Sequence, residues 1–426
     1  GGTAGAPMNG GAAGTAGGTS GAAGNAGSGG GSSRQCDSSW DTHPSKGDGV
    51  ALTPPMGWNS WNAFHENINE QQIRQVADVM VSSGLRDAGY IYLNLDDKWM
   101  DDDGRDSSGK LVGDNVRFPS GMAALAKYVH DRGLKFGVYG DRGTETCAHY
   151  NAKTQAQSGS YGKEQIDAQT FASWGVDYLK YDNCAIAPGR DNDKAQEEDY
   201  RAMGNALKAA GRPILFSICA WDAKPWMPDV GHIWRSTFDI GVCFSGCDEW
   251  YRNIDEIIDE NNQTVDYAGP GHWNDPDMMV VGKGLTYDED VSHFSMWALM
   301  AAPIILGNDI RSMSDQTRRI LTNEEVIAVN QDPAGVQGRR VVDNGDLEVW
   351  MKPLCNLDGP EKAVILFNRS PRAAEISVAF SAIGLSGTAT ARDLWAHEDL
   401  GEHNGSFSAQ VPSHGVVMVK ITAMGD

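Results

Sequence analysis

Eight short apolar runs, each followed by an amphipathic stretch, occupy residues 51–330 and narrow the folds open to this chain. The runs are Met56–Asn59, Tyr90–Asp96, Lys135–Tyr139, Asp177–Tyr181, Pro213–Ile218, His232–Arg235, Tyr267–Trp273 and Pro303–Leu306. Short, apolar and flanked by turn residues, they predict buried strands. Between them, stretches such as Gln71–Ser82, Met122–Arg132, Gln165–Ser173, Glu197–Ala210, Trp250–Glu260 and Asp290–Met300 carry apolar residues at helical spacing. Eight strands alternating with helices over this length predict a closed (β/α)8 TIM barrel. An open doubly wound sheet is the competitor, weakened because no GxGxxG follows the first strand.

The texture changes after Asn330. Leu347–Met351, Ala363–Asn368, Glu375–Phe380, Thr388–Leu394 and Val416–Ile421 alternate or run apolar without helical period. They predict a small C-terminal antiparallel β-sandwich domain over 331–426. Residues 1–50 open with a Gly-, Ala- and Ser-rich segment and end in a polar transition. Such a composition buries too little apolar area to offset its chain entropy, so it reads as a tether. A tether suits an enzyme that is secreted or held at a cell surface.

Net charge is −22, from 35 basic and 57 acidic residues, with no basic stripe. That argues against nucleic acid and anionic membranes as partners. No apolar run reaches the length of a membrane span. Thirteen Trp are compatible with a cleft that grips sugars on flat rings, although core packing uses Trp as readily.

The predicted strands finish on polar and aromatic residues: Trp58 to Trp61, Asp96 to Trp99, Tyr139 to Asp141, Lys180 with Asp182, Cys219 to Asp222, Arg235 with Asp239, and Trp273 to Asp277. One acidic strand end would be noise, and Asp182 alone could simply cap the next helix. Several such ends at one barrel mouth form a site for a polyhydroxylated ligand. Two carboxylates can then divide glycoside hydrolysis between a nucleophile and an acid/base, standing about 5–5.5 Å apart in a retaining enzyme. Asp182 fits the nucleophile, with Lys180 on the same strand face to keep it ionised. Asp239 fits the acid/base, flanked by apolar Phe238 and Ile240 that would favour its protonated form. Asp96 and Asp97 lack the oxygen spacing of a calcium loop, and Asp101-Asp102-Asp103-Gly104 reads as a solvated acidic turn. No paired Cys or His suggests zinc. Neither a metal nor another cofactor is expected.

The motifs PPMGWNSWNAF, LNLDDKWM, GLKFGVYGD, WGVDYLKYDNC, HIWRSTFDI and GPGHWNDPDMMVVG resemble the α-galactosidase (melibiase) family of retaining glycoside hydrolases, family 27. The resemblance runs from Leu52 to the C-terminus. It implies Asp182 as nucleophile and Asp239 as acid/base. It further implies Asp96 and Asp97 on the O6 and O4 hydroxyls, Lys180 beside O3, Arg235 near O2, and Trp61 and Tyr139 as pocket walls. Cys219, Ala220, Trp221 and Asp277 complete the expected substrate-binding set. The resemblance also pairs Cys147 with Cys184 in a disulfide.

One departure bears on the substrate. Many members carry Glu after the fifth-strand Cys, whereas Ala220 and Ala223 here resemble the α-N-acetylgalactosaminidase branch. The expected substrate is therefore a terminal α-galactoside, with an α-GalNAc glycoside as the alternative. A β-L-arabinopyranosidase and a non-catalytic galactose-binding protein are remoter readings. Cys243 and Cys247 are near enough for a local bridge, Cys36 and Cys355 have no evident partner, and Cys219 reads as a buried thiol.

Overall fold

The computed structural model describes residues 47–424 except 155, 247–249 and 356–359. The expected tether up to residue 46, Cys36 and the proposed partner Cys247 lie outside the described residues.

Eight parallel strands form the first sheet: β1 Met56–Asn59, β2 Tyr92–Asn94, β3 Lys135–Asp141, β4 Tyr178–Asp182, β5 Leu215–Ile218, β6 Ile233–Arg235, β7 Trp273–Asp275 and β8 Ile304–Leu306. Consecutive strands pair from β1 to β7, and β8 returns to pair with β1. A parallel bridge between Met279 and Leu306 links the segment beyond β7 to β8. The sheet thus curls into the eight-stranded barrel. Its strands are buried nearly throughout, because helices cover one side and the barrel interior the other. Close strand contact leaves no room for a side chain at Gly137, where a Cβ would lie 1.9 Å from Asn94 Oδ1.

The helices fall where the apolar spacing places them, including Glu70–Ser82, Met122–His130, Asp193–Ala209 and Tyr287–Leu299. Asn69, Asn192 and Thr286 cap three of these by accepting from backbone N–H groups one turn on. The seventh strand departs from expectation. Val265–Tyr267 is a 3-10 turn, and pairing waits until Trp273. The intervening Gly269-Pro270-Gly271 breaks the run, since Pro offers no N–H to a ladder. The acidic segment is also not a simple turn: Met100–Arg105 pairs with Leu111–Gly113 in a short hairpin after β2.

The last barrel helix ends at Asn330, and the C-terminal domain begins with β9 Arg339–Asn344. It continues with β10 Leu347–Leu354, β11 Glu361–Asn368, β12 Ala374–Ala379, β13 Thr388–Asp393, β14 Glu398–Asn404, β15 Ser406–Val411 and β16 Val416–Ala423. A six-stranded antiparallel sheet, β9-β10-β11-β16-β13-β14, faces the β12-β15 pair. Period-two alternation divides its central strands. Val349, Met351, Val364 and Leu366 fill the sandwich core, while Trp350, Ile365 and Phe367 join the barrel core. Phe244, in the loop after β6, stacks on His414 of this domain at 4.8 Å, and His414 Nδ1 lies 2.9 Å from Glu289.

Candidate active site

Because the strands are parallel, their C-terminal ends share one rim. Register pairs Tyr139 with Lys180, Asp141 with Asp182, and Arg235 with Asp275. The rim encloses a cleft of about 510 Å³. Asp182, Asp239, Trp61, Asp96, Asp97, Tyr139, Lys180, Cys219, Trp221, Arg235 and Asp277 all line it. Ala220 does not: its methyl packs into the barrel core between the lining residues Cys219 and Trp221.

Asp182 ends β4 and is buried. The Tyr139 hydroxyl donates to its Oδ2 at 2.9 Å, and the Asn183 N–H donates to its Oδ1 at 3.0 Å. Asn192, not Asp182, caps the following helix, so the carboxylate is left to face the cleft. Burial raises its pKa, the Lys180 charge opposes that, and the charge of Asp239 pushes it up again. Tyr139 is itself held well above its ordinary value by burial, so it stays a donor.

Asp96 and Asp97 follow β2. Asp96 Oδ2 accepts from Asn59 Nδ2 and from Lys180 Nζ, each at 2.8 Å. Asp97 accepts from the Lys98 and Ala148 N–H groups at 2.7 and 2.8 Å, and burial pushes its carboxyl up to about 6. On the other side, buried Arg235 donates to Asp277 at 2.9 Å and to Asp239 Oδ1 at 3.1 Å. Asp277 sits at φ 89°, a conformation a non-glycine residue adopts only under restraint. The restraint is visible: its carboxylate accepts from the Ile240 and Met278 N–H groups, and its own N–H donates to Asp275.

The surroundings of Asp239 correct one expectation. Its side chain is 47 % exposed and bonded to Arg235, and the Phe238 ring lies 5.7 Å from Trp221. Asp239 is half-exposed rather than shielded, because Phe238 projects outward, while Ile240 is mostly buried in the core at the cleft wall.

The Cys147–Cys184 disulfide is present, with Cα atoms 5.0 Å apart. It closes the loops after β3 and β4 at the cleft wall. Buried Asp141 reinforces it, accepting from Gly143 N at 2.6 Å and Cys184 N at 2.8 Å. Asp141 Oδ2 and these two sulfurs lie close together, yet both thiols are spent in the disulfide and could not ligate a metal. Cys219 is a free, buried thiol, while Cys243 and Cys355 are disulfide-bonded. Cleft residues that sequence reasoning missed include Asn62, His65, Asn151, Val242, Tyr251 and Lys283. All lie in the segments that follow strand ends, Asn62 and Asn151 on short helices and the others in loops, where no long periodicity marks them.

A (β/α)8 barrel whose mouth gathers several buried carboxylates, a Lys, an Arg and flat rings has the make-up of a glycoside hydrolase. Comparison with known proteins makes this more specific. Residues 53–332 match the family described as alpha galactosidase A, and residues 344–421 match the alpha galactosidase C-terminal beta sandwich domain. The alpha-galactosidase of Cyamopsis tetragonoloba is 48% identical over 381 residues, covering 88% of this chain and 87% of its own. Alpha-galactosidase I from Mortierella vinacea superposes with a TM-score of 0.83 at 35% identity, covering 89% of this chain and all of its own. The Saccharomyces cerevisiae enzyme, solved with raffinose, gives 0.81 at 28%, covering 90% and 100%. The chain belongs to the alpha-galactosidase (melibiase) family.

Proposed function

We propose that this protein removes terminal α-linked galactose from oligosaccharides or glycoconjugates by double displacement. The carrying observation is that a buried, hydrogen-bonded Asp182 and a half-exposed Asp239 line one cleft. Asp182 attacks the anomeric carbon while Asp239 protonates the departing glycosidic oxygen. A covalent galactosyl ester results. Asp239 then takes a proton from water, which attacks the same carbon and releases galactose with its configuration retained. Tyr139 and Lys180 would orient and balance the nucleophile, whereas Arg235 would hold Asp239. Asp96 and Asp97 can accept sugar hydroxyls, and an epimer would leave those buried acceptors unpaired.

Release of p-nitrophenol from the α-galactoside tests this reading. Galactose binding without release would favour a lectin instead. A second reading, acceptance of a 2-acetamido group, rests on the resemblance of Ala220 and Ala223 to the α-N-acetylgalactosaminidase branch. The GalNAc substrate run in parallel separates the two. The disulfide and the Gly-rich tether further suit a protein that is secreted or held at a cell surface.

A further inference from the structure

One buried imidazole is left unused by the chemistry above. His149, on the short helix Cys147–Ala152, is wholly buried, yet its Nε2 has no hydrogen-bond partner among the described residues. Asp102 Oδ1 faces that nitrogen from 3.8 Å, too far for a hydrogen bond. The other ring nitrogen, Nδ1, lies 3.0 Å from Thr146 Oγ1. Thr146 holds the N-cap position of the same helix, but its side chain makes no capping bond. The hydroxyl is turned instead to Asp97, where its hydrogen bond favours the ionised carboxyl.

A threonine hydroxyl has one proton to give. Spent on Asp97, it cannot also serve His149, so His149 Nδ1 carries the hydrogen and donates to Thr146 Oγ1. The lone pair then falls on Nε2, buried and unpaired before a carboxylate. A histidine kept for packing alone would take the other tautomer and turn an Nε2–H toward Asp102. We infer that His149 is a positioning residue: by donating to Thr146 it aims the Thr146 hydroxyl at Asp97 and keeps that carboxylate ionised to receive a sugar hydroxyl. The inference rests on the proposed role of Asp97. The setting suits a neutral donor, since burial drives His149 down to about 4, Lys98 and Arg117 oppose its protonation, and Asp102 favours it. Asp97 is finely balanced. Its burial and the charge of Asp96 push it up to about 6, while Thr146 and the Ala148 and Lys98 N–H groups draw it down. Buried Tyr139 and Asp141 also feel its charge. Removing one of those donors leaves more of the carboxyl protonated at any pH near 6.

Thr146→Val, His149→Phe and their double variant test the inference through the pH profile of kcat/KM on p-nitrophenyl α-galactoside. In the wild type kcat/KM should fall on the acid side as Asp97 takes up a proton. Thr146→Val is expected to move that limb to higher pH by roughly half a unit to one unit, and to raise KM several-fold. His149→Phe should do the same in smaller measure. The double variant should match Thr146→Val alone, because His149 acts through Thr146. His149→Asn offers an amide N–H in place of Nδ1 and should restore the wild-type limb, whereas His149→Gln replaces Nε2 and should not. Losses that add in the double variant, or a limb that stays put while the melting temperature falls, would reduce His149 to packing. Side-chain 15N shifts of His149 give a readout that needs no turnover: Nδ1–H is expected. Turnover with Nε2–H would overturn the positioning role alone. No turnover with Nδ1–H would overturn the proposed function, and this role with it.

Discussion

At the scale of single residues, the two aspartates proposed to be catalytic differ in ways that experiment can separate. Asp182 is buried and doubly hydrogen-bonded, whereas Asp239 is half-exposed and tied to Arg235. Asp182→Ala should lower kcat by about 10⁴-fold or more while leaving the melting temperature nearly unchanged, because its loss removes the bond-forming atom. Added azide should then yield β-galactosyl azide from an activated α-galactoside; an α product would reverse the assignment. Asp239→Ala should cost about 10²–10⁴-fold on a disaccharide but far less on an aryl galactoside whose leaving group needs no proton. Equal losses on both would reduce Asp239 to a binding role. The residues of this constellation were largely legible in the chain, because parallel strands deliver their last side chains to one rim and the strand ends were acidic. What the sequence concealed was environment. Phe238 and Ile240 look alike as neighbours of Asp239, yet one projects into solvent and the other enters the core. Arg235, four residues upstream, then becomes the decisive partner.

Among elements, the loops after β3 and β4 bear directly on the site. The Cys147–Cys184 bond joins them across a separation of 37 residues, and Ala148, next in the chain, donates to Asp97. Closing a loop of that length stabilises the fold by about 4 kcal/mol in the chain-entropy account. The Cys147→Ser, Cys184→Ser double variant is therefore expected to melt several degrees lower, measured by calorimetry. It should also raise KM more than it lowers kcat, because loosening Ala148 slackens the grip on Asp97, proposed to bind the sugar, but leaves Asp182 bonded to Tyr139. A fall in kcat alone would place the effect elsewhere. Element identity followed from pattern where the pattern was strong: β1 and the helices capped by Asn69 and Thr286 stand within a few residues of their predicted ends. It failed for β14, Glu398–Asn404, which is almost wholly exposed. An edge strand with no buried face has no apolar alternation to read. The hairpin at Met100–Arg105 was hidden for a related reason, since three successive Asp say turn and only the pairing with Leu111–Gly113 says strand.

For the molecule as a whole, buried titratable groups set opposing slopes of stability against pH. Burial raises Asp97, Asp275 and Asp290 to about 6 each. The folded state then binds more protons than the unfolded chain, so their contribution is full below about 3.8 and is lost as pH rises through about 6. His149 and His293 are driven down to about 4 and about 3 by burial, and His293 must stay neutral to accept from Val280 N at 3.0 Å. Their contribution has the reverse sign: it is present above about 6.5 and lost as pH falls through those lowered values. Between about 4 and 6 the two sets oppose, so a single wild-type curve conceals both. Asp290 separates them, because it stands outside the cleft and its carboxylate accepts from Gly282 N, at 3.0 and 3.1 Å. Asp290→Asn keeps an acceptor oxygen but cannot ionise. At pH 4, where the native carboxyl is protonated, the variant should melt at or slightly below the wild type. As pH rises to 7.5 the wild type must bury a charge and the variant need not, so the difference should move in the variant's favour by roughly 2–4 °C. Melting curves that stay parallel across that range would show that Asp290 ionises inside the fold without cost.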